Sequence, residues 1–209
     1  MDFSFLRKKF NESLFDIYSS EELNVIFYNI MKQLTDKSKV ELLTDNYKLG
    51  HDKEKLFFEY VNRLSKNEPL QYILGNTLFN NLEFDLDSSV LIPRPETEEL
   101  VDLIIKYECK KDKILDICSG SGCIAITLAK YIKRSDVTAL EICSNAVKII
   151  NNNADKHNVK IDIICKDFFT FHTKSSFDLI VSNPPYLTYS QKDKISKNVL
   201  NYEPHQALF

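Results

Sequence analysis

From Lys113 to Ser182 the chain alternates short apolar runs with longer amphipathic stretches, and this alternation constrains the fold more than any other feature. Lys113–Ile117, Asp136–Leu140, Ile161–Cys165 and Phe177–Ser182 read as strands. Between them the spacing predicts a helix from about Cys123 to Ile132 and another from about Asn145 to His157, capped by Ser144. Strands separated by helix-length crossovers run parallel, with the helices covering the sheet. The expectation is an α/β, Rossmann-like sheet in the doubly wound order 3-2-1-4. The first and fourth strands are then neighbours at the switch point, and ligands bind outside the carboxyl ends there.

The residues before this region follow other periods. Leu23, Ile26, Phe27, Ile30 and Leu34 recur at helical spacing behind the candidate caps Ser19 and Ser20. Leu56, Phe57, Tyr60, Val61 and Leu64 form a second stripe behind Asp52. Thr77-Leu78-Phe79 and Leu82-Glu83-Phe84 flank Asn80-Asn81 and predict a hairpin. Pro93-Arg94-Pro95-Glu96-Thr97-Glu98 opens a further helix carrying Leu100, Val101, Ile104 and Ile105. Three parts are expected: a helical N-terminal domain (1–75), whose apolar stripes pack a core or dock a partner protein, a β-hairpin linker (76–93) and an α/β domain (94–209).

The loop leaving the first of the four strands is Asp116-Ile117-Cys118-Ser119-Gly120-Ser121-Gly122. Gly120 and Gly122 permit a tight turn and a close approach of backbone to ligand, and Cys118, Ser119 and Ser121 are small. A strand before and a helix after give the Gly-x-Gly its context. Ile124 and Ala125 stand where a dinucleotide fingerprint would have its third glycine, which counts against a nicotinamide cofactor. Glu141 ends the second strand, where a carboxylate accepts hydrogen bonds from both hydroxyls of a ribose. Asp167-Phe168, after the third, offers an acid and an aromatic ring to an adenine; Phe168 also suits a core position. Loop, ribose acid and adenine pair together specify an adenosine-bearing cofactor with little need for phosphate binding; adenosine plus a short charged tail describes S-adenosylmethionine.

Asn183-Pro184-Pro185-Tyr186 follows the fourth strand. It places acceptor oxygens and an aromatic face where a planar NH2 group would be held against an electrophile. Asn-Pro and Pro-Pro also simply end strands in turns. Two kinds of substrate present a planar NH2, a carboxamide and the exocyclic amine of adenine.

Charge and cysteine usage exclude some classes. A net charge of −3 lacks the basic excess of a dedicated nucleic-acid binder. The apolar runs are too short for a bilayer. Five cysteines without a Cys-x-x-Cys pair, and four scattered histidines, suggest reduced thiols in a cytoplasmic protein and no metal site.

Taken together, Glu68-Pro69-Leu70-Gln71-Tyr72-Ile73-Leu74-Gly75, Leu91–Glu98, Asp116–Gly122, Glu141, Asp167-Phe168, Ser182–Tyr186 and Glu203-Pro204 resemble the HemK/PrmC-type protein-(glutamine-N5) methyltransferases. The resemblance implies S-adenosylmethionine contacts from Cys118–Gly122, Glu141 and Phe168. It implies that Asn183, Pro184, Pro185 and Tyr186 hold the glutamine of a release factor's Gly-Gly-Gln motif, in translation termination, with Asn183 also near the cofactor. The family's ribose acid is commonly Asp, so Glu141 keeps the charge on a longer arm. Cys118 replaces a frequent Gly and is expected to demand less unusual dihedrals. A full domain of this family continues with a fifth strand, a helix and a closing hairpin, some 60 residues at roughly 30 per strand–helix–strand unit. The expectation is therefore a shortened chain whose fourth strand has an open edge. Two rival readings stand beside it: an adenine-N6 methyltransferase on DNA or RNA, and a remnant that binds cofactor or release factor without turnover.

Overall fold

A computed structural model of the chain describes residues 1–44, 48–107 and 111–209. They form two compact units, Met1–Leu74 and Gly75–Phe209. Among the described residues no helix is long and apolar enough to cross a membrane.

The first unit is helical: α1 (Phe3–Leu14), α2 (Ser20–Thr35), α3 (Lys39–Thr44), α4 (His51–Leu64) and α5 (Leu70–Leu74). Ser19 caps α2 in a reciprocal box with Glu22, satisfying two backbone donors that the first turn leaves open. Helix α4 starts earlier than the sequence suggests. Gly50 is its N-cap and Asp52 lies in its first turn, where a carboxylate meets the positive end of the helix dipole. Phe10, Phe27 and Phe57 are fully buried and pack edge to face or tilted around one another. Leu56, read as part of the apolar stripe, is 36% exposed instead.

The second unit opens with the hairpin β1 (Asn76–Phe79) and β2 (Leu82–Asp85). Asn80 and Asn81 both adopt positive φ, 50° and 61°, as a two-residue hairpin turn of matching twist requires. Phe79 and Phe84 enter the core that also holds Val101, Ile104, Ile126 and Val137. Helix α6 (Pro95–Lys106) begins on Pro95, whose fixed φ and missing N–H suit a first helical position.

Then follow β3 (Lys113–Ile117), α7 (Cys123–Tyr131), β4 (Asp136–Glu141), α8 (Ser144–His157), β5 (Asp162–Cys165) and β6 (Leu179–Ser182). Two short helices follow, α9 (Lys197–Tyr202) and α10 (His205–Leu208). The four strands are parallel in the order β5-β4-β3-β6, the doubly wound arrangement that the alternation predicts. Strand β3 is central, and Ile114, Leu115, Asp116 and Ile117 are all buried. Strand β6 ends the sheet with Ile180 59% exposed. Ser144 is the first residue of α8 and not its cap; Cys143 occupies that place and makes no side-chain cap bond.

Candidate functional site

A pocket opens at the carboxyl ends of β3, β4 and β6. Its wall takes Cys118, Ser119, Gly120 and Ser121 from the glycine loop, Glu141 and Cys143 from the end of β4, and Asn183 and Pro185 from the tetrapeptide. The chain builds this convergence through its turns. Both Cys118 and Ser119 donate their backbone N–H to the Leu140 carbonyl, at 2.9 and 3.3 Å, which folds the loop across β4. The Ser182 hydroxyl donates to the Ile117 carbonyl at 2.7 Å, fixing the end of β6 beside the end of β3.

Glu141 is 8% exposed, and its two carboxylate oxygens accept the Gly120 N–H at 2.8 Å and the Cys143 N–H at 2.9 Å. A carboxylate has about four acceptor positions, so two remain for ligand hydroxyls. A Cβ built on Gly120 would meet nothing within 4 Å, which leaves the pocket side of the loop open. The Ser121 hydroxyl is buried and has no hydrogen-bond partner, and it lines the pocket. Spare acceptors, an open loop face and an orphaned hydroxyl fit a polar, hydroxyl-bearing ligand such as an adenosyl group.

The remaining candidates lie elsewhere. Gly122 (φ 79°) does not line the pocket; a Cβ there would meet Ile126 and Ile150 at 3.0 Å, so its hydrogen permits α7 to pack on α8. Asp116 is fully buried beneath the loop, accepting the Ala125 N–H at 3.2 Å on one oxygen while the other is unpartnered. Burial pushes its carboxyl up to about 7, and the Glu141 charge adds to the rise. Asp167 caps a short 3-10 turn by accepting the Phe169 N–H at 2.9 Å, and Phe168 is half-exposed; neither lines the pocket. Pro184 and Tyr186 are exposed outside the lining, Tyr186 at 72%.

One expectation about backbone strain is overturned. Cys118 adopts φ 62°, inside the left-handed region, where its Cβ crowds the carbonyl oxygen and glycine would not. The Gly-to-Cys difference therefore keeps the unusual dihedral and adds strain. Burial also pushes the Cys118 thiol up, and pushes Cys123 up to about 12, so both stay protonated at neutral pH. The four described cysteines are unpaired, and Cys109 lies outside the described residues.

Sequence reasoning missed several wall residues. Ser89, Val90 and Leu91 precede α6, Pro93 and Thr97 belong to its opening motif, and Pro204, Gln206 and Ala207 come from the last segment. Thr97 carried the best available signal, inside the distinctive Pro-Arg-Pro-Glu-Thr-Glu run. Its buried hydroxyl accepts a hydrogen bond from the Asn183 side-chain NH2 at 3.3 Å.

Comparison with known proteins agrees with this architecture. The sequence profile of the PrmC N-terminal domain matches residues 6–75, and that of the Methyltransferase small domain matches residues 75–206. The release factor glutamine methyltransferase of Flavobacterium psychrophilum is 41% identical, over 97% of this chain and 74% of its own length. That of Bacteroides thetaiotaomicron is 38% identical, over 95% of this chain and 72% of its own. Among solved structures, M. jannaschii TYW2 in complex with AdoMet aligns with 57% of this chain and 55% of its own, at a TM-score of 0.47 and 21% identity. With both units matched in order, and relatives this similar over nearly all of its length, the chain belongs to the release factor glutamine methyltransferase family.

Proposed function

We propose that this chain transfers a methyl group from S-adenosylmethionine, the methyl donor of the family, to the side-chain amide nitrogen of the glutamine in the Gly-Gly-Gln motif of peptide chain release factors. The observation that carries the reading is Asn183, which lines the same pocket as the glycine loop and Glu141. Its NH2 group is engaged by Thr97, which leaves the side-chain oxygen as its free acceptor.

An amide nitrogen is a weak nucleophile because its lone pair is delocalised into the carbonyl. The Asn183 oxygen and the Pro184 carbonyl accept the two N–H bonds of the glutamine amide, shifting electron density toward nitrogen and fixing its direction. Pro185 packs beside them, and Tyr186, exposed on the same loop, closes on the amide plane. Cys118, Ser119, Gly120, Ser121 and Glu141 hold the donor, which supplies an electrophilic methyl when bound. The protonated Cys118 and Cys123 thiols do not compete for that methyl. The product nitrogen loses its proton after transfer, so no tuned general base is needed; orientation and fixed dipoles provide the catalysis. Residues 1–75 serve release-factor recognition in this reading.

The test is transfer of labelled methyl to purified release factor, beside a factor whose Gly-Gly-Gln glutamine is replaced and beside adenine-containing DNA. Label is expected on the intact factor alone. Asn183→Ala is expected to lower turnover on the order of a hundredfold, the usual loss for one preorganised hydrogen-bonding group. Label on the glutamine-less factor or on DNA, or near-normal turnover in Asn183→Ala, contradicts the proposal.

A further inference from the structure

Methyl transfer leaves two sequence motifs without a task, Pro93-Arg94-Pro95 and Glu203-Pro204, and the structure joins them. Arg94 Nη2 donates to Glu203 Oε1 at 2.6 Å, and the Ile92 N–H donates to Oε2 at 3.4 Å. The Glu203 side chain is 1% exposed and that of Arg94 34%. A carboxylate this deeply buried is tolerable only while its cation and hydrogen-bond donors stay in place.

A second anchor lies at the far end of the same segment. The Leu187 N–H donates to the Leu208 carbonyl at 3.0 Å, and Tyr189 stacks on Phe209 with ring centroids 4.9 Å apart and planes 7° from parallel. Leu208 is buried. Between the anchors Pro204, Gln206 and Ala207 line the pocket. These two sets of contacts hold the segment in place. One reaches the opening of α6, whose Pro93 and Thr97 line the pocket, and the other reaches the chain just beyond Tyr186.

We propose that Arg94 and Glu203 are positioning residues whose ion pair seats the segment Glu203–Phe209 as a wall of the cofactor pocket, so that the pair sets affinity for the adenosyl ligand and not the rate of methyl transfer. This rests on the reading of the pocket as the S-adenosylmethionine site. Neither side chain has to touch the ligand, because both act through Pro204, Gln206 and Ala207.

The experiment uses the full chain and S-adenosylhomocysteine as the probe, with Kd from calorimetry, KM for S-adenosylmethionine, kcat, and Tm. Arg94→Ala is expected to weaken S-adenosylhomocysteine binding and raise KM by about tenfold, with kcat at saturating donor within about threefold of the parent. Arg94→Lys keeps the charge and is expected to recover most of the affinity. Tyr189→Ala loosens the other anchor without touching the ion pair and is expected to weaken binding in the same direction, which decides the matter if Arg94→Ala does not fold. Folded variants with parental affinity and KM, or with lowered Tm alone, overturn the proposal. A fall in kcat at unchanged KM overturns it too. Failure of the parent chain to bind S-adenosylhomocysteine instead removes the reading of the pocket beneath it.

Discussion

Asp116 is the least comfortable residue of the second unit. It lies fully buried, with one carboxylate oxygen unpartnered and its carboxyl raised to about 7 from an ordinary 3.8. A raised acid binds its proton more tightly in the folded state. Its destabilisation is therefore absent below about pH 3.8, grows as pH rises, and is complete above about 7. Across that window the effect is at most about 4 kcal/mol, because each tenfold change in proton affinity is worth about 1.4 kcal/mol. Asp116→Asn, read as its stability difference from the parent at each pH by urea unfolding, is expected to gain from pH 5 to 7 and then level off. A flat difference would mean that Asp116 ionises normally. Cys118 is strained in its backbone. Cys118→Gly relieves the left-handed strain at φ 62° and is expected to raise stability by about 1 kcal/mol, visible as a higher urea midpoint at unchanged slope. Sequence could not show this strain, because small size suggests an easy fit while backbone dihedrals are set by the turn across β4.

At the scale of elements, a buried asparagine links the hairpin to the glycine loop. Asn153 on α8 accepts the Asp85 N–H at 2.7 Å and donates to the Asp85 and Ser121 carbonyls at 3.1 and 3.0 Å. Lys156 on the same helix reaches Glu83 and Asp85 of β2. Those ion pairs are partly exposed and contribute little. Asn153→Leu removes this partner from the Asp85 N–H and from the Asp85 and Ser121 carbonyls, which costs about 3 kcal/mol. A Tm fall of roughly 10 °C is expected by differential scanning calorimetry; a change within about 2 °C would show that water replaces the amide. The regular elements were legible because they obey periods: four apolar runs gave the sheet and its order, and Asn80-Asn81 gave the hairpin. The loop, Glu141 and Asn183 were legible from their places at strand ends. The walls at Ser89–Leu91 and at Pro204, Gln206 and Ala207 were not, because irregular backbone has no period and meets the pocket only through tertiary contacts. Gly122 shows the converse: its letter reads as ligand approach, and only the packing of Ile126 and Ile150 reveals a helix contact.

At the scale of the molecule, each unit has its own main hydrophobic core. One is centred on Phe10, Phe27 and Phe57, the other on Phe79, Phe84, Ile126 and Val137. Every residue lining the pocket at the ends of β3, β4 and β6 belongs to the second unit. A ligand stabilises only those states in which its site is formed, by about 2.7 kcal/mol at a hundredfold excess over Kd. Saturating S-adenosylhomocysteine is therefore expected to slow amide hydrogen exchange by up to about a hundredfold in β3, β4 and the loop Cys118–Gly122, whose opening destroys the pocket. Amides in α1, α2 and α4 open around a core that contains no residue of the pocket at the strand ends, and their exchange is expected to stay as it was. Equal protection in both units would show that they open as one cooperative body. Protection in neither, with binding verified by calorimetry, would place the ligand elsewhere than at the ends of β3, β4 and β6.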